Sequence, residues 1–198
     1  LAAAQAGLRV VLTEETQWIG GQLTSQAVPP DEHSRIESLG APASYRKLRR
    51  KIRGYYRRNY PLTPDAKSQD LLNPGGGSVS RLCHEPRVAL AATYELLAPH
   101  ISGGRLRILL NHRPVAAHCI GDRVKAVGCE STVGGHRIEI AAPYTVDATE
   151  LGDLLPLTKT EYVTGFESQS DTGEPHAPAK AQPENMQAFT WCFPMEYI

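Results

Sequence analysis

The sequence predicts an α/β fold, and three observations support that prediction. A helix end rich in small residues, a glycine and an apolar strand follow one another over residues 1–14. Residues 85–101 predict a long helix with apolar side chains along it. Residues 105–142 then change to the alternating pattern of strands, with glycine turns between them.

The first fourteen residues are typical of the second half of a βαβ unit. Leu1–Ala6 predicts the end of a helix, and Gly7 is a natural stop for it. Leu8–Glu14 is an apolar run that ends in an acid, which suits a parallel strand covered on both faces. The chain starts with Leu rather than Met, and no segment matches the G-x-G-x-x-G phosphate loop. We therefore expect a fragment whose first strand and Gly-rich loop lie upstream, and which is inactive when isolated.

Residues 31–82 are predicted to form a partly helical insertion. Tyr45–Tyr60 has apolar side chains at helical spacing on one side and basic residues elsewhere. Pro61–Ser78 contains three prolines and a triple glycine, which predicts a loop. Glu85–Ile101 predicts the next helix from its apolar side chains, and Pro86 is tolerated there because it lies in the first turn.

The second half of the chain is predicted to be mostly strands. Four segments carry the pattern: residues 105–110, 113–120, 123–131 and 136–142. Gly121-Asp122 predicts a hairpin turn, so these strands form a hairpin crossover. Tyr144–Asp147 predicts a last short strand, and Phe189–Phe193 a strand whose partner is absent. The polar, proline-rich residues 167–184 predict a loop.

Composition excludes several classes of protein. The 198 residues carry a formal net charge of zero, so no global field points to nucleic acid or membrane. The four cysteines form no C-x-x-C pair, and the seven histidines show no zinc spacing. No apolar run approaches the roughly 20 residues needed to cross a bilayer. We expect a cytoplasmic protein with no metal site and no membrane segment.

Glu14 is the first candidate site residue. In dinucleotide-binding folds an acid that ends the second strand accepts hydrogen bonds from ribose hydroxyls, because the ligand crevice opens at that end. Such an acid serves NAD as well as FAD, so a nicotinamide-binding protein stays open at this point. An ordinary surface glutamate after a parallel strand is the other alternative.

The segment EETQWIGGQLTSQ narrows this choice. It resembles the segment after the second strand in the two-dinucleotide-binding-domain flavoproteins, the broad glutathione-reductase-like superfamily. The resemblance implies a Rossmann-type FAD-binding domain in which Glu14 binds the adenosine ribose. It also implies that Gly20, Gly21 and Gln22 lie along FAD and that Ser25 faces the flavin. An ordinary glycine-rich turn is the alternative.

Two further segments resemble the same flavoproteins. DATELGDLLPL is similar to the strand end and small turn that pass beside FAD, which implies cofactor contacts from Ala148 and Thr149. Glu150 stands where many members have a glycine. The strand before the hairpin meets the adenine through main-chain atoms in these proteins, and Val115 is the matching residue. Simple strand packing is the alternative for Val115.

The complete segment DATELGDLLPL is similar to the corresponding segment in a bacterial branch of FAD-dependent oxidoreductases. That branch also carries a WxGGQ-type segment and a C-x-E-P segment, which Cys83-His84-Glu85-Pro86 resembles. A reactive Cys83 thiol near a helix N-terminus is a further hypothesis, against a simple core cysteine. The resemblance assigns Cys83 no role, and the catalytic residues stay unknown.

The sequence thus predicts a fragment of an FAD-dependent oxidoreductase that acts on a small molecule. Residues 1–157 are assigned to the FAD-binding domain and residues 158–198 to the start of a substrate-binding region. The main competitor is a nucleic-acid binder built on helix 45–60, whose eight basic residues are interleaved with tyrosines. A solvated amphipathic helix explains the same pattern, so we expect no nucleic-acid partner.

Overall fold

The computed structural model describes residues 1–30, 33 and 35–195. The helices of that part are α1 (Ala2–Gln5), α2 (Ala43–Asn59), α3 (Pro64–Ser68), α4 (Pro86–Ser102), α5 (Leu154–Thr158) and α6 (Gln169–Thr172). The strands are β1 (Val10–Glu14), β2 (Leu106–Leu110), β3 (His112–Ile120), β4 (Arg123–Ser131) and β5 (Arg137–Ala141). The protein is therefore a mixed α/β structure, as predicted.

The chain divides into two compact units. The first holds Leu1–Arg113, Ser131–Gly135 and the described residues from Cys192 onward. The second holds Pro114–Glu130 and His136–Trp191. The predicted limits at residues 31 and 198 lie outside the described residues, and the assignment of residues 1–157 and 158–198 to domains stays a prediction.

The first unit contains a parallel pair of strands. β1 pairs with β2 from Val10 opposite Leu106 to Glu14 opposite Leu110. Gly7 has a φ of +89°, which ends α1 and confirms the predicted stop. Partly buried side chains of β1 pack with Ile19 and Leu97 on one face. Successive side chains of a strand point to opposite faces, so Val11 lies on the other face of β1. Val11 is 45% exposed, and the prediction that both faces are covered is therefore wrong for that face.

Two long helices form the other core of the first unit. α2 and α4 confirm the two predicted helices, with ends shifted by one or two residues. Their buried side chains form one cluster with Leu72 and Leu82 of the connecting segment: Ile52, Tyr56, Val88, Ala89 and Ala92. The loop predicted for Pro61–Ser78 is wrong over α3, which Thr63 caps by accepting a hydrogen bond from the Ala66 N–H. Pro64 at the first helical position favours this short helix because its ring fixes φ.

The second unit contains a three-stranded sheet in the order β3-β4-β5. β4 and β5 are antiparallel, from Ala126 opposite Ala141 to Glu130 opposite Arg137. A turn at Gly121-Asp122 joins β3 to β4, which confirms the predicted hairpin. Inward-facing side chains of β4 pack against Leu154 of α5, a helix that the sequence pattern did not predict.

Three predicted segments differ from the structure. Tyr144–Asp147 and Phe189–Phe193 are not strands. Neither has a ladder partner within the described residues, and Tyr144 is 88% exposed. A strand needs a neighbour for its backbone groups, so apolar alternation alone does not produce one. The loop predicted at 167–184 contains α6, and an isolated antiparallel bridge joins Phe166 to Gln182 at its edge.

Candidate functional site

Glu14 lies at the carboxyl end of the parallel strand pair. Its side chain is half-buried, and Oε1 accepts a 2.8 Å hydrogen bond from the Thr16 N–H. No other described residue donates to its carboxylate. The structure therefore holds one carboxylate oxygen in place at the edge of the pair where ligands of open α/β sheets bind.

The glycine pair follows in the same loop. Gly20 has a φ of +113°, in the region that side chains disfavour, and Gly21 a φ of +49°. A Cβ at Gly20 would lie 2.9 Å from two side-chain atoms of Thr24. Thr24 is buried and donates a 2.8 Å hydrogen bond to the Ile19 carbonyl. The local fold thus requires a glycine at position 20 in addition to any need for close approach of a ligand.

The surface of this loop offers backbone donors. Gly20 and Gln22 are exposed, and a short 3₁₀ helix begins at Gly21. Within the part of the chain that the structure describes, the N–H groups of Gly20, Gly21 and Gln22 donate no hydrogen bond. Ser25 is also exposed, and its hydroxyl donates to the Gly21 carbonyl at 3.4 Å. Glu14 thus ends β1, and these four residues follow it on the connecting segment that contains the 3₁₀ helix.

The other predicted residues belong to the second unit. Val115 lies on β3 and is half-buried. Ala148 and Thr149 lie in the turn between β5 and α5, where Ala148 is exposed and Thr149 half-buried. Each group of residues is described within its own unit, and the joint site that the sequence predicts stays a prediction.

Asp147 is the centre of the turn in the second unit. Its carboxylate accepts hydrogen bonds from the Thr149 N–H at 2.9 Å, the Thr149 hydroxyl at 2.8 Å and the Leu154 N–H at 2.9 Å. Partial burial raises the pKa of Asp147, but these hydrogen bonds outweigh burial and hold the pKa below its usual range. The sequence pattern did not single out Asp147, although aspartate side chains commonly accept a hydrogen bond from the backbone two residues on.

One comparison decides the family. The model of the family described as FAD dependent oxidoreductase matches residues 1–198. The chain belongs to the FAD dependent oxidoreductase family. Its cofactor is therefore FAD, and family membership resolves the choice between FAD and NAD that Glu14 alone leaves open. The comparison with curated proteins found no match.

The residues of the first unit suit this cofactor. FAD brings ribose hydroxyls, which donate to a carboxylate, and a pyrophosphate, which accepts from backbone N–H groups. Glu14 has a carboxylate oxygen with no partner among the described residues, and Gly20 and Gly21 present N–H groups without a Cβ to block approach. The Glu14 carboxylate and the N–H groups of Gly20 and Gly21 therefore complement the hydrogen-bonding groups of the adenosine diphosphate part of FAD.

The Cys83–Glu85 segment leads directly into α4. The Cys83 N–H donates to Asn73 Oδ1 at 2.6 Å, and the Glu85 N–H donates to the buried Tyr56 hydroxyl at 2.7 Å. A Cβ at Gly77 would lie 2.7 Å from Cys83 Sγ, so the backbone of Gly77 packs closely on the thiol. These contacts give Cys83 a packing role, and its reactivity stays a hypothesis.

His84 is half-buried. Its Nε2 atom is buried and has no hydrogen-bond partner among the described residues. Burial lowers the pKa of His84, because a charged imidazole loses its hydration there.

The basic residues of α2 have mostly intramolecular partners. Buried Arg49 and Arg53 both donate to Glu37. Lys51 and Arg58 pair with Glu95 of α4. Arg46 and Arg57 donate to backbone carbonyls: those of Ala41, Gln69 and Asp70. Lys47 and Arg50 are exposed and form no hydrogen bond or ion pair with described residues. Two acids, Glu37 and Glu95, thus pair with four of the eight basic side chains of α2, and the nucleic-acid hypothesis stays untested.

The described residues contain no cluster of metal ligands and no helix suited to crossing a membrane. No group of three or more His, Cys, Asp or Glu side chains is placed to hold a metal ion in that part of the chain. None of its helices has the length and apolar character that crossing a membrane requires.

Proposed function

We propose that this chain forms a Rossmann-type FAD-binding domain within an oxidoreductase that acts on a small molecule. The geometry of Glu14 supports this most directly. Glu14 is the last residue of a strand in a parallel pair, and the Thr16 N–H orients one oxygen of its carboxylate by a hydrogen bond. On this proposal, residues 1–157 bind the cofactor around an insertion at about 31–82, and residues 158–198 begin the substrate-binding region.

Each predicted residue has a defined role in the proposal. Glu14 accepts hydrogen bonds from the adenosine ribose, and the N–H groups of Gly20, Gly21 and Gln22 face the cofactor. Ser25 lies towards the flavin. In the second unit, Val115 contacts the adenine through its main chain, and Ala148 and Thr149 pass beside FAD. We expect no metal and no nucleic acid as partners.

Bound FAD supplies the redox chemistry by accepting hydride or electrons from the substrate. The chain's own residues bind and orient the cofactor. The Asp147 carboxylate holds its turn through two backbone N–H groups and the Thr149 hydroxyl, so Ala148 and Thr149 are presented in a set conformation. Such preorganisation limits the entropy lost when a ligand binds.

The test is the visible absorption spectrum of the complete protein, with Glu14→Ala beside it. We expect a flavin band in the parent protein and weaker FAD binding in Glu14→Ala. Hydrogen bonds to charged groups contribute about 1.5–3 kcal/mol, which is roughly 10- to 100-fold in affinity.

Glu15→Ala is the matched control, because Glu15 is the exposed neighbour of Glu14. It should keep the affinity of the parent protein. A complete protein with no flavin band after FAD is added, but with saturable NADH binding, would overturn the proposal in favour of a nicotinamide cofactor.

A further inference from the structure

The turn that follows β4 lies against the end of β1. This turn, Ser131–Gly135, belongs to the first unit although the strands on either side belong to the second. The Thr132 hydroxyl donates a 3.2 Å hydrogen bond to the Glu15 carbonyl. The Thr132 N–H donates to the Asn111 carbonyl at 2.8 Å. Thr132 is thus hydrogen-bonded both to Glu15, just after β1, and to Asn111, just after β2.

Asn111 completes the link to Glu14. Its N–H donates to the Thr16 carbonyl at 3.0 Å. The Thr16 N–H in turn donates to Glu14 Oε1 at 2.8 Å. Asn111 has a φ of +57°, which asparagine tolerates better than most residues and which turns the chain sharply after β2. The orientation of the Glu14 carboxylate therefore depends on a peptide that is held on both sides.

The turn itself is preshaped. Ser131 is buried, and its hydroxyl oxygen accepts hydrogen bonds from the Val133 N–H at 3.3 Å and the Gly134 N–H at 3.2 Å. The Gly135 N–H donates to the Ser131 carbonyl at 3.0 Å. Thr132 is thus presented by a closed turn, and its hydroxyl meets the Glu15 carbonyl from a fixed position.

We propose that Thr132 is a positioning residue for the cofactor acid Glu14. By holding the Glu15-Thr16 backbone, it keeps the carboxylate in the orientation that binds the adenosine ribose. This inference rests on the proposed function, and it adds a residue that the sequence pattern did not single out. Thr132 makes no contact with the cofactor in this account, because it acts through the backbone of its neighbours.

The test compares Thr132→Val with Thr132→Ser in the complete protein. Valine keeps the shape of threonine and removes the hydroxyl, whereas serine keeps the hydroxyl. The dissociation constants of FAD and of ADP are measured, FAD by quenching of flavin fluorescence and ADP by competition. A neutral hydrogen bond contributes about 1 kcal/mol, so we expect Thr132→Val to weaken both ligands about fivefold. Thr132→Ser should stay within about twofold of the parent protein. Thr132→Ala removes the same hydroxyl and replaces the valine variant if that does not fold.

A double-mutant cycle with Glu14→Ala separates positioning from general stability. If Thr132 acts through Glu14, the loss caused by Thr132→Val disappears when Glu14 is already alanine. A loss of the same size in both backgrounds would overturn the inference. The inference would also be overturned if Thr132→Val left the FAD affinity unchanged while Glu14→Ala lowered it. That result would leave the proposed function intact. Full FAD affinity in Glu14→Ala would contradict the proposed role of Glu14 and with it this inference.

Discussion

Glu37 has the most strongly perturbed carboxyl environment among the acids that the structure describes. Its side chain is 14% exposed, and it accepts hydrogen bonds from Arg49 and Arg53, which are almost fully buried. Arg53 also donates to the carbonyls of Leu72 and Arg81. Burial raises the pKa of Glu37, but the hydrogen bonds and charges of the two guanidinium groups outweigh it and lower the pKa to about 2.

Glu37→Gln should strongly destabilise the protein. Removing one member of a buried charge network leaves the remaining charges poorly compensated, which costs about 3–5 kcal/mol. Glu95→Gln is the matched control, because Glu95 also joins two cations but is 38% exposed and should cost less than about 1 kcal/mol. Urea denaturation measures both free energies of unfolding. Equal losses in the two variants would contradict this interpretation of Glu37.

The pKa of Glu37 also predicts a pH dependence. A carboxyl whose pKa falls from 4.5 in the unfolded chain to about 2 in the folded chain stabilises the protein above about pH 4.5. That stabilisation is lost as the pH falls towards 2, because the unfolded chain binds the proton first. The difference in unfolding free energy between the parent protein and Glu37→Gln should therefore shrink between pH 5 and pH 2. A constant difference over this range would show that the charge of Glu37 is not the cause.

At the scale of an element, the start of α5 depends on the Asp147 turn. The Leu154 N–H at the first helical position donates to Asp147, and the Asp153 N–H donates to the Thr149 hydroxyl at 2.8 Å. The first turn of a helix has N–H groups without intrahelical partners, and these side chains satisfy two of them. The turn proposed to pass beside FAD and the helix after it are thus one hydrogen-bonded unit.

Thr149→Val should therefore destabilise this element by about 1–2 kcal/mol, because it removes a donor and an acceptor at once. Thr149→Ser keeps the hydroxyl and should stay within about 0.5 kcal/mol of the parent protein. Amide hydrogen exchange of α5 measures the local effect, with faster exchange expected at Asp153 and Leu154 in the valine variant. Unchanged protection there would rule out the capping role of Thr149.

At the scale of the whole molecule, the 21 basic residues are balanced by 21 acidic residues, so the net charge offers no general attraction for nucleic acid. We predict that the complete protein binds a single-stranded RNA oligonucleotide only weakly. Lys47→Ala with Arg50→Ala is the informative variant, because Arg49 and Arg53 are buried and their loss would affect folding. Fluorescence anisotropy at low and high salt measures the affinity. Tight binding that falls steeply with salt and disappears in the double variant would restore the nucleic-acid hypothesis.

Local patterns predicted the elements whose partners are near in sequence. The two long helices and the β3-β4 hairpin have ends close to those predicted, because each is specified by its own periodicity and its own turn residues. Tyr144–Asp147 has the pattern of a strand but no neighbour among the described residues. Short helices such as α5 are the opposite case, since their five residues are too few to show a period.

The sequence by itself determined the α/β class, the FAD family and Glu14 as the candidate ribose acid, because these depend on local periodicity and on contiguous stretches of sequence. Only the tertiary structure decided which residues support them. Thr132 and Glu15 are 117 positions apart, and Arg53 and Glu37 are 16 apart. A hydrogen bond between such residues leaves no local pattern, because threonine, glutamate and arginine are ordinary surface residues until the fold brings their partners within 3 Å or so.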